Sequence, residues 1–540
     1  MKPVSTSATI TVDFSRLADH PLSHDRIALF DSGLVTLPTY RRDADYFRRS
    51  HPEHLRIDLG WGAEWMPWTR EPVTVDGDVV AYDFEETDEI AKFLNEVDVR
   101  PYWAYSYVPK AARRPGSDWR TMDDDDELWV NLVTEYVRGA AARGVAIGYH
   151  EVYNEPDLRD ERTAEPVFYA GDLDDYLDLY RKTARAIRAA DPSARIGGPA
   201  LASVAKNAHW LRPFLRTVVD EGLPLDFLSF HHYGTYGIGP ALDTVREILA
   251  EFPQLAEVEV HLNEYNSFMI DYPRGGLQDS HLLAAAFAAD LDLLLASPSL
   301  TRVSWAQFLD SGNDNYSGMI GIDGAAKPLY RAYEFYQAMP IDRRAVHIDG
   351  PEGVGAIASA DDASAAMLVW NRSIVDVEVR IDDLREDLHV VLLDSTGDHS
   401  RRPLGDGPLR LERGAVALVS TQASAEAPSR RIVSRTRVHL DDRSSGAWSD
   451  VDEATATIRF GTADAANATV RAGLDLPADV VGEFRASVCT ADGTPAPGEI
   501  AIEESVAGGI RTIWATFTGA PAHTFGRVDF VADSTAEVAR

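Results

Sequence analysis

The chain has 540 residues, of which 45% are hydrophobic and 26% charged, a balance typical of a globular protein with room for more than one domain. Its formal net charge of −34 would repel nucleic-acid phosphates, so we expect no nucleic-acid partner. The single cysteine, Cys489, excludes a disulfide within the chain and a cysteine-based zinc site. Residues 1–14 lack the apolar core of a signal peptide, and Asp290 and Asp292 interrupt the apolar run 282–296. We therefore expect a cytoplasmic protein without a membrane span.

Short runs of apolar residues typical of strands recur through the first two thirds of the chain, separated by segments with helical spacing. The helical spacing is clearest at residues 174–190 and 280–296. Strands that alternate with helices in this way predict an α/β fold, a (β/α)8 TIM barrel, with a doubly wound open sheet as the alternative. The eight predicted strands are residues 27–30, 55–59, 100–107, 149–153, 195–198, 227–231, 258–263 and 302–308.

The pattern changes after Met339 and Pro340. Residues 345–420 form short apolar runs between Gly, Asp and Ser turns, which favours a β-sandwich. Residues 421–430 are small and polar, as in a linker, and the remainder is again β-rich without identifying a module type. We predict three domains: a catalytic barrel with an N-terminal strand segment at 1–340, an accessory β-sandwich at 341–425, and a β-rich C-terminal domain at 426–540.

Two of the predicted strands end in a glutamate. The fourth ends in Asn154, Glu155 and Pro156, and the proline stops strand pairing just beyond the carboxyl group. The seventh ends at Glu264. Strand tips meet at the mouth of a barrel, where barrel enzymes carry their catalytic groups. Either glutamate alone could be an ordinary turn residue, but the pair predicts a glycosidase site, with Glu155 as acid/base and Glu264 as nucleophile.

Polar and aromatic side chains mark three other strand tips. Arg56 on the second strand either holds the nucleophile ionised or forms a structural ion pair inside the barrel. The sixth strand ends in His231, His232 and Tyr233, and alternation places the first and third of these in the pocket and His232 behind the barrel. Trp305 on the eighth strand is either the apolar floor under a sugar ring or a core tryptophan.

Three tryptophans, Trp61, Trp65 and Trp68, follow the second strand closely. Aromatic rings suit the apolar faces of sugars, although a hydrophobic cluster within the loop is the better explanation for two of them. The acidic run 123–126 precedes a predicted helix and lacks the alternating spacing of a calcium loop, so we interpret it as a charged helix N-terminus. We expect no metal site.

These motifs together resemble family-39 glycoside hydrolases, the group that contains β-xylosidases and α-L-iduronidase. The resemblance runs from about residue 55 to residue 420. It rests on the segments RPYWAYSYVPKA, EVYNEPDL, RIGGPAL with the preceding helix, DFLSFHHYG, HLNEYNS and GIDGAAKPLYRAYEFYQAMP. The resemblance implies a barrel followed by a small β-sandwich, and exo-hydrolysis with retention. It places Glu155 on the family's acid/base, Glu264 on its nucleophile, Asn154, His231 and Tyr233 on sugar-contacting positions, and Trp305 on the aromatic residue of strand eight.

Two positions depart from the family pattern. Family β-xylosidases tend to carry a histidine two residues after the arginine of strand two, where this chain has Asp58. They also carry two glutamates in the loop after strand eight, which here reads LDSGNDN over residues 309–315. The catalytic residues therefore match, whereas the part that selects the sugar differs. Asp58, Trp65 and Trp103 complete the predicted substrate-binding set.

We expect a retaining exo-glycoside hydrolase that removes a non-reducing-end sugar from a glycoside or an oligosaccharide. A β-D-xyloside ranks first, followed by an α-L-arabinoside, a β-D-galactoside or another pentoside or hexoside. A uronide ranks last, because the strand-eight loop lacks a cation and the overall charge is negative. A transglycosylase would use the same residues, and a non-catalytic carbohydrate-binding protein is disfavoured because both glutamates are present. Two carboxyls and water suffice for the reaction, so we expect no cofactor; a homo-oligomer is left open.

Overall fold

The computed structural model describes most of the chain up to residue 421 and the strands beyond it. No helix in this part of the chain is long and apolar enough to cross a membrane. The described residues are 7–33, 35–63, 71–123, 126–268, 280–310, 317–321, 324, 326–382, 388–395, 399, 401–405, 407–421, 435–440, 444–451, 455–462, 468–477, 484–490, 499–507, 510–520 and 525–532.

Eight parallel strands close into a barrel in the order β10-β11-β2-β3-β6-β7-β8-β9, which confirms the predicted fold class. The strands up to the end of the barrel are β1 (Ser7–Leu17), β2 (Ile27–Ser32), β3 (His54–Asp58), β4 (Val73–Asp76), β5 (Val79–Tyr82), β6 (Arg100–Tyr105), β7 (Tyr149–Val152), β8 (Ile196–Leu201), β9 (Phe227–Tyr233), β10 (Glu259–Asn266) and β11 (Arg302–Ala306). The helices are α1 (Leu37–Arg42), α2 (Ala44–Ser50), α3 (Glu85–Glu96), α4 (Glu127–Ala140), α5 (Leu173–Ala190), α6 (Val204–Glu221), α7 (Ile238–Ala250), α8 (His281–Ala296) and α9 (Pro328–Ala338).

Several helix ends follow from local sequence signals. Asp172 begins α5 with a capping box, in which its side chain accepts from the N–H of Asp175 and the Asp175 side chain accepts from the Asp172 N–H. Ser280 caps α8 through its side-chain oxygen. Gly222 ends α6 in the left-handed conformation, with φ 59°. These signals mark the beginnings of α5 and α8 and the end of α6.

Side chains of the barrel strands alternate between the interior and the surrounding helices. On β6, the hydroxyl of Tyr102 lies in the interior, 3.3 Å from Nδ1 of His261, whereas Trp103 donates outward to the Tyr136 hydroxyl of α4 at 3.1 Å. On β10, Tyr265 donates outward to a carboxylate of α8 at 2.7 Å. This alternation decides which of the predicted residues can reach the mouth of the barrel.

A nine-stranded sheet follows the barrel, in agreement with the predicted sheet-rich region. Its order is β17-β16-β19-β14-β13-β12-β1-β15-β18. One face, which includes Ala358 and Val369, has its own apolar core, and the other, which includes Leu368 and Leu418, joins the core of the barrel. The strands after the barrel are β12 (Arg343–Asp349), β13 (Val354–Ala360), β14 (Ala365–Asn371), β15 (Val377–Asp382), β16 (His389–Leu393), β17 (Arg402–Pro403), β18 (Leu409–Leu411) and β19 (Val416–Ser420).

The N-terminal strand lies in this second sheet and not with the barrel to which we assigned it. Strand β1 pairs antiparallel with β12 and parallel with β15. The reason is its alternation, because Ala8, Ile10 and Val12 form one buried apolar face that needs a sheet core. The proposed boundaries near residues 340 and 425 stay predictions.

The C-terminal part consists of two four-stranded antiparallel sheets, ordered β20-β23-β26-β25 and β21-β22-β27-β24. Two antiparallel sheets of similar size are consistent with the β-rich pattern of the sequence. The strands are β20 (Arg435–Leu440), β21 (Ser444–Val451), β22 (Thr455–Thr462), β23 (Ala468–Pro477), β24 (Phe484–Thr490), β25 (Glu499–Ala507), β26 (Ile510–Ala520) and β27 (Phe525–Ala532).

Candidate active site

Glu155 follows β7 in an uncommon backbone conformation. It has φ 44°, and Tyr153 before it has φ 71°, both in the left-handed region that non-glycine residues rarely adopt. The Glu155 N–H donates to the carbonyl of Ala200 on β8 at 3.1 Å, which helps to hold this geometry. Such strain tends to persist where the surrounding structure fixes a functional group. The Glu155 side chain is buried, with 9% of the residue exposed.

Glu264 lies on β10 with both of its carboxylate oxygens held by donors. Nη1 of Arg56 donates to Oε1 at 2.7 Å, and the Tyr233 hydroxyl donates to Oε2 at 2.7 Å. Nδ1 of His231 lies 3.5 Å from the same Oε2. Donors on both oxygens favour the ionised form of this carboxyl group.

His231 lies between the two glutamates. Its Nδ1 is 2.7 Å from Oε1 of Glu155, and one ligand-type atom each from Glu155, His231 and Glu264 lie within 4.8 Å of one another. Among the described residues, these three form the group with the spacing needed to hold a metal ion. One oxygen of Glu155 therefore lies within 4.8 Å of one oxygen of Glu264, which places the two carboxyl groups close together.

Arg56 makes the contacts expected for both alternatives that the sequence left open, an ion pair with Glu264 and a structural ion pair inside the barrel. Besides binding Glu264, its Nε donates to Oε2 of Glu151 at 2.8 Å, and its Nη2 donates to Oδ1 of Asn154 at 2.7 Å. Arg56 and Glu151 are fully buried. Glu151 was missed by sequence reasoning; the available signal was a glutamate within the apolar strand that leads to Glu155. The arginine therefore connects the tips of β3, β7 and β10.

The two glutamates have different electrostatic surroundings. Burial and the neighbouring Asp157 and Asp58 raise the pKa of Glu155 to about 8 against the opposing charge of Arg56. Burial also raises the pKa of Glu264, but Arg56 and the Tyr233 hydrogen bond oppose that rise. Burial lowers the pKa of His231 to about 4, so this imidazole is neutral at pH 7. The proton therefore resides on Glu155 at neutral pH.

Asp58 is bound by two hydroxyl groups that sequence reasoning did not assign. The Tyr107 hydroxyl donates to Oδ2 at 2.7 Å, and the Ser106 hydroxyl donates to Oδ1. Nδ2 of Asn154 in turn donates to the Tyr107 oxygen at 3.5 Å. Burial raises the pKa of Asp58. Tyr107 lay within the predicted third strand, but only the closed barrel shows that it faces Asp58.

Two of the tryptophans predicted to bind the sugar, Trp103 and Trp305, are not with the carboxylates. Trp305 packs edge-on against Tyr265 and against Phe287 of α8, with ring centroids 5.5 and 5.0 Å apart, so it is a core residue on the helix side of its strand. Trp103 likewise faces α4. Both assignments were wrong for the same reason, since alternation turns these positions outward. Trp65 and Trp68 lie outside the described residues, and Trp61 is buried.

Two carboxyl groups that face each other at the mouth of a (β/α)8 barrel are an arrangement typical of glycosidase active sites. A family model described as "Glycosyl hydrolases family 39" matches residues 40–393, and the chain belongs to this family. The protein is therefore a glycoside hydrolase that acts on glycosides.

Two curated relatives and one solved structure show how far the similarity extends. The chain is 25% identical over 364 residues to a β-xylosidase from Caldicellulosiruptor saccharolyticus, covering 60% of this chain and 72% of the relative. It is 24% identical over 339 residues to a β-xylosidase from Geobacillus stearothermophilus, covering 55% of this chain and 64% of that protein. The crystal structure of a family-39 enzyme from Xanthomonas axonopodis pv. citri matches with TM-score 0.61 at 20% identity, over 77% of this chain and 97% of the other. This last likeness concerns the fold.

Proposed function

We propose that the protein is a retaining exo-glycosidase that releases a non-reducing-end sugar, with a β-D-xyloside as the first candidate substrate. The observation that carries the proposal is the pair of Glu155 and Glu264, which bring one oxygen each within 4.8 Å of the other and whose surroundings differ. Retaining glycosidases hold their two carboxyl groups closer together than inverting ones, so that the carboxylate itself attacks the sugar, and this close pair supports that mechanism.

In the first step, Glu264 attacks the anomeric carbon while Glu155 gives its proton to the departing oxygen. The C–O bond to the leaving group breaks as the bond to Glu264 forms. Among the described residues, Nε2 of His231 has no hydrogen-bond partner, so the imidazole proton belongs on Nδ1. There it donates to Oε1 of Glu155, and the other oxygen of Glu155 is left to carry the proton towards the substrate.

In the second step, Glu155 has lost its proton and acts as a base. It removes a proton from water as the water oxygen attacks the anomeric carbon, and the bond to Glu264 breaks. Two inversions at that carbon restore the original configuration. A sugar hydroxyl in place of water would give transglycosylation with the same residues, and product analysis with an added acceptor distinguishes the two reactions.

The choice of sugar rests on similarity and charge. The two relatives described above are named β-xylosidases, which supports a β-D-xyloside ahead of an α-L-arabinoside or a β-D-galactoside. A uronide would need a cation for its carboxylate near the pocket. The first cation after the strand-eight loop in sequence, Lys327, already binds Asp310, with Nζ to Oδ1 at 2.8 Å. We therefore rank the uronide last.

The test is a panel of aryl glycosides covering β-D-xyloside, both arabinoside ring forms, β-D-galactoside, β-D-glucoside, β-D-fucoside and a uronide. Glu264→Ala is assayed alongside Glu53→Gln, which removes a carboxylate at the opposite end of the barrel. We expect one panel member to be cleaved with retention, as read by NMR of the first-formed anomer. The Glu264 variant should lose on the order of 10⁴-fold or more in kcat/KM, and the Glu53 variant should stay near wild type. An inverted product, or activity that survives Glu264→Ala, would contradict the proposal.

A further inference from the structure

Asp58 occupies the position where this chain departs from its family, and its surroundings indicate a different role from sugar binding. Both carboxylate oxygens already accept hydrogen bonds, from Ser106 and Tyr107, and the residue is 4% exposed. We propose that Asp58 is a positioning residue, which orients Asn154, the neighbour of Glu155 in the chain, through Tyr107, and that it does not bind the sugar. This inference rests on the proposed function and deepens it.

The orientation of Asn154 follows from the single proton of the Tyr107 hydroxyl. Asp58 accepts that proton, so the Tyr107 oxygen can only accept from other groups. It accepts from Nδ2 of Asn154 at 3.5 Å, while Oδ1 of Asn154 accepts from Arg56 at 2.7 Å. The amide therefore has one orientation, and one N–H of Nδ2 is left for a sugar hydroxyl. Without the carboxylate, the Tyr107 proton can turn towards Asn154 and oppose this orientation.

The charge of Asp58 acts on Glu155 together with several other groups. Asp58 and Asp157 both disfavour ionisation of Glu155, and Arg56 favours it. Removing one of the two negative charges leaves the arginine less opposed, so Glu155 should lose its proton at lower pH. The titratable and charged groups around Glu155 are Arg56 and Asp58 of β3, Tyr107 after β6, Asp157 in its own loop, His231 and Tyr233 of β9, and Glu264 of β10.

The experiment uses the full chain and the panel glycoside that wild type cleaves, with kcat and KM measured across pH. For Asp58→Asn we expect kcat to fall about 10- to 100-fold with KM within about threefold, since the lost interaction acts on positioning and not on sugar binding. The basic limb of kcat/KM should move to lower pH by about half a unit to one unit. Ser106→Ala is the matched control, because it removes a donor to Asp58 but leaves the carboxylate and should leave that limb within about 0.3 units of wild type.

Tyr107→Phe tests the orientation of Asn154 separately and serves if Asp58→Asn fails to fold. It should lower kcat. Combining it with Asp58→Asn should lower kcat much less than the product of the two single losses, because both variants disturb the same hydrogen bonds between Asp58, Tyr107 and Asn154. An unchanged basic limb and kcat in Asp58→Asn, a rise in KM alone, an unchanged kcat in Tyr107→Phe, or fully multiplicative losses would each overturn the inference. Failure of the proposed function would appear instead as wild-type hydrolysis that survives Glu264→Ala.

Discussion

The pKa values of buried carboxyl groups are shifted in opposite directions at the two ends of the barrel. At the N-terminal end of the strands, His54, Arg302 and Arg100 outweigh the burial of Glu53 and lower its pKa to about 2. Glu259 at the same end is likewise lowered to about 2, by His261 and Arg195. At the C-terminal end, burial and two nearby aspartates raise the pKa of Glu155 to about 8. The difference lies in the partners, since carboxyl groups at both ends are taken out of water.

The hydrogen bonds of Arg56, the buried cation of the active site, contribute to this difference in pKa. Arg56 binds Glu264, Glu151 and Asn154, and it makes no hydrogen bond to Glu155 among the contacts of the described residues. Glu155 receives its hydrogen bond from a neutral histidine instead. One buried guanidinium is therefore paired with Glu264, while the neighbouring Glu155 keeps its proton at neutral pH. Paired charges at the other end of the barrel contribute stability, as expected for the face that is remote from catalysis.

Of the three changes that test this comparison, the removal of the proposed proton donor should have the largest effect. Glu155→Gln should lower kcat/KM about 10²- to 10⁴-fold for a glycoside with a poor leaving group, and less for an activated aryl glycoside that departs without protonation. Wild-type activity should fall as the pH rises through about 8, where Glu155 loses its proton, and this basic limb should vanish in the variant. Both results come from pH profiles with the two classes of leaving group. Equal losses for both classes would contradict the acid role.

The next effect concerns stability at the two ends. Arg56→Met leaves Glu151 and Glu264 as buried carboxylates without their cation and should cost about 3–5 kcal/mol of unfolding free energy. Arg100→Met is the matched control at the other end, because its side chain is 62% exposed and its ion pair with Glu53 is worth about 1 kcal/mol or less. Urea denaturation of both variants measures the difference. Equal losses would show that the shared arginine is not the central support of the site.

The smallest effect is a pH-dependent one at the N-terminal end. The pKa of Glu53 is lowered from its ordinary value of 4.5 to about 2, so its stabilisation is fully present above pH 4.5 and is lost as the pH falls towards 2. Glu53→Gln should therefore cost about 2–3 kcal/mol at pH 7, and the gap to wild type should shrink in acid. Denaturation from pH 7 to pH 2.5 tests this, and a constant gap would show that charge is not responsible.

Local patterns in the sequence predicted much of the site and of the fold around it. Short apolar runs located all eight barrel strands, because each is a contiguous segment with its own pattern. Glu155 and Glu264 were predicted as a catalytic pair because each ends a strand, and the barrel brings these two strand ends together. Alternation alone placed His231 and Tyr233 inside, and both contact the glutamates. In these cases the information lies within a few residues of the side chain concerned.

The features that the sequence did not reveal depend on contacts between distant segments. The pairing of Glu151 with Arg56 becomes visible only when the barrel is closed. The hydrogen bond from Tyr107 to Asp58 likewise depends on β3 lying beside β6. Trp103 and Trp305 have aromatic rings suited to sugars, but both rings face the surrounding helices and not the barrel interior. The N-terminal strand pairs with segments more than three hundred residues away, which no local pattern indicates.

The central claim is that Glu264 forms a covalent bond to the sugar while Glu155 moves the proton. Its most direct measurement is mass spectrometry of Glu155→Gln after mixing with an activated aryl glycoside of the sugar that wild type cleaves. With the base removed, the second step slows, so the intermediate accumulates. We predict a mass increase of one glycosyl residue on the peptide that carries Glu264, absent from the Glu155→Gln/Glu264→Ala double variant. An adduct on another residue, or a product of inverted configuration without any adduct, would contradict the account.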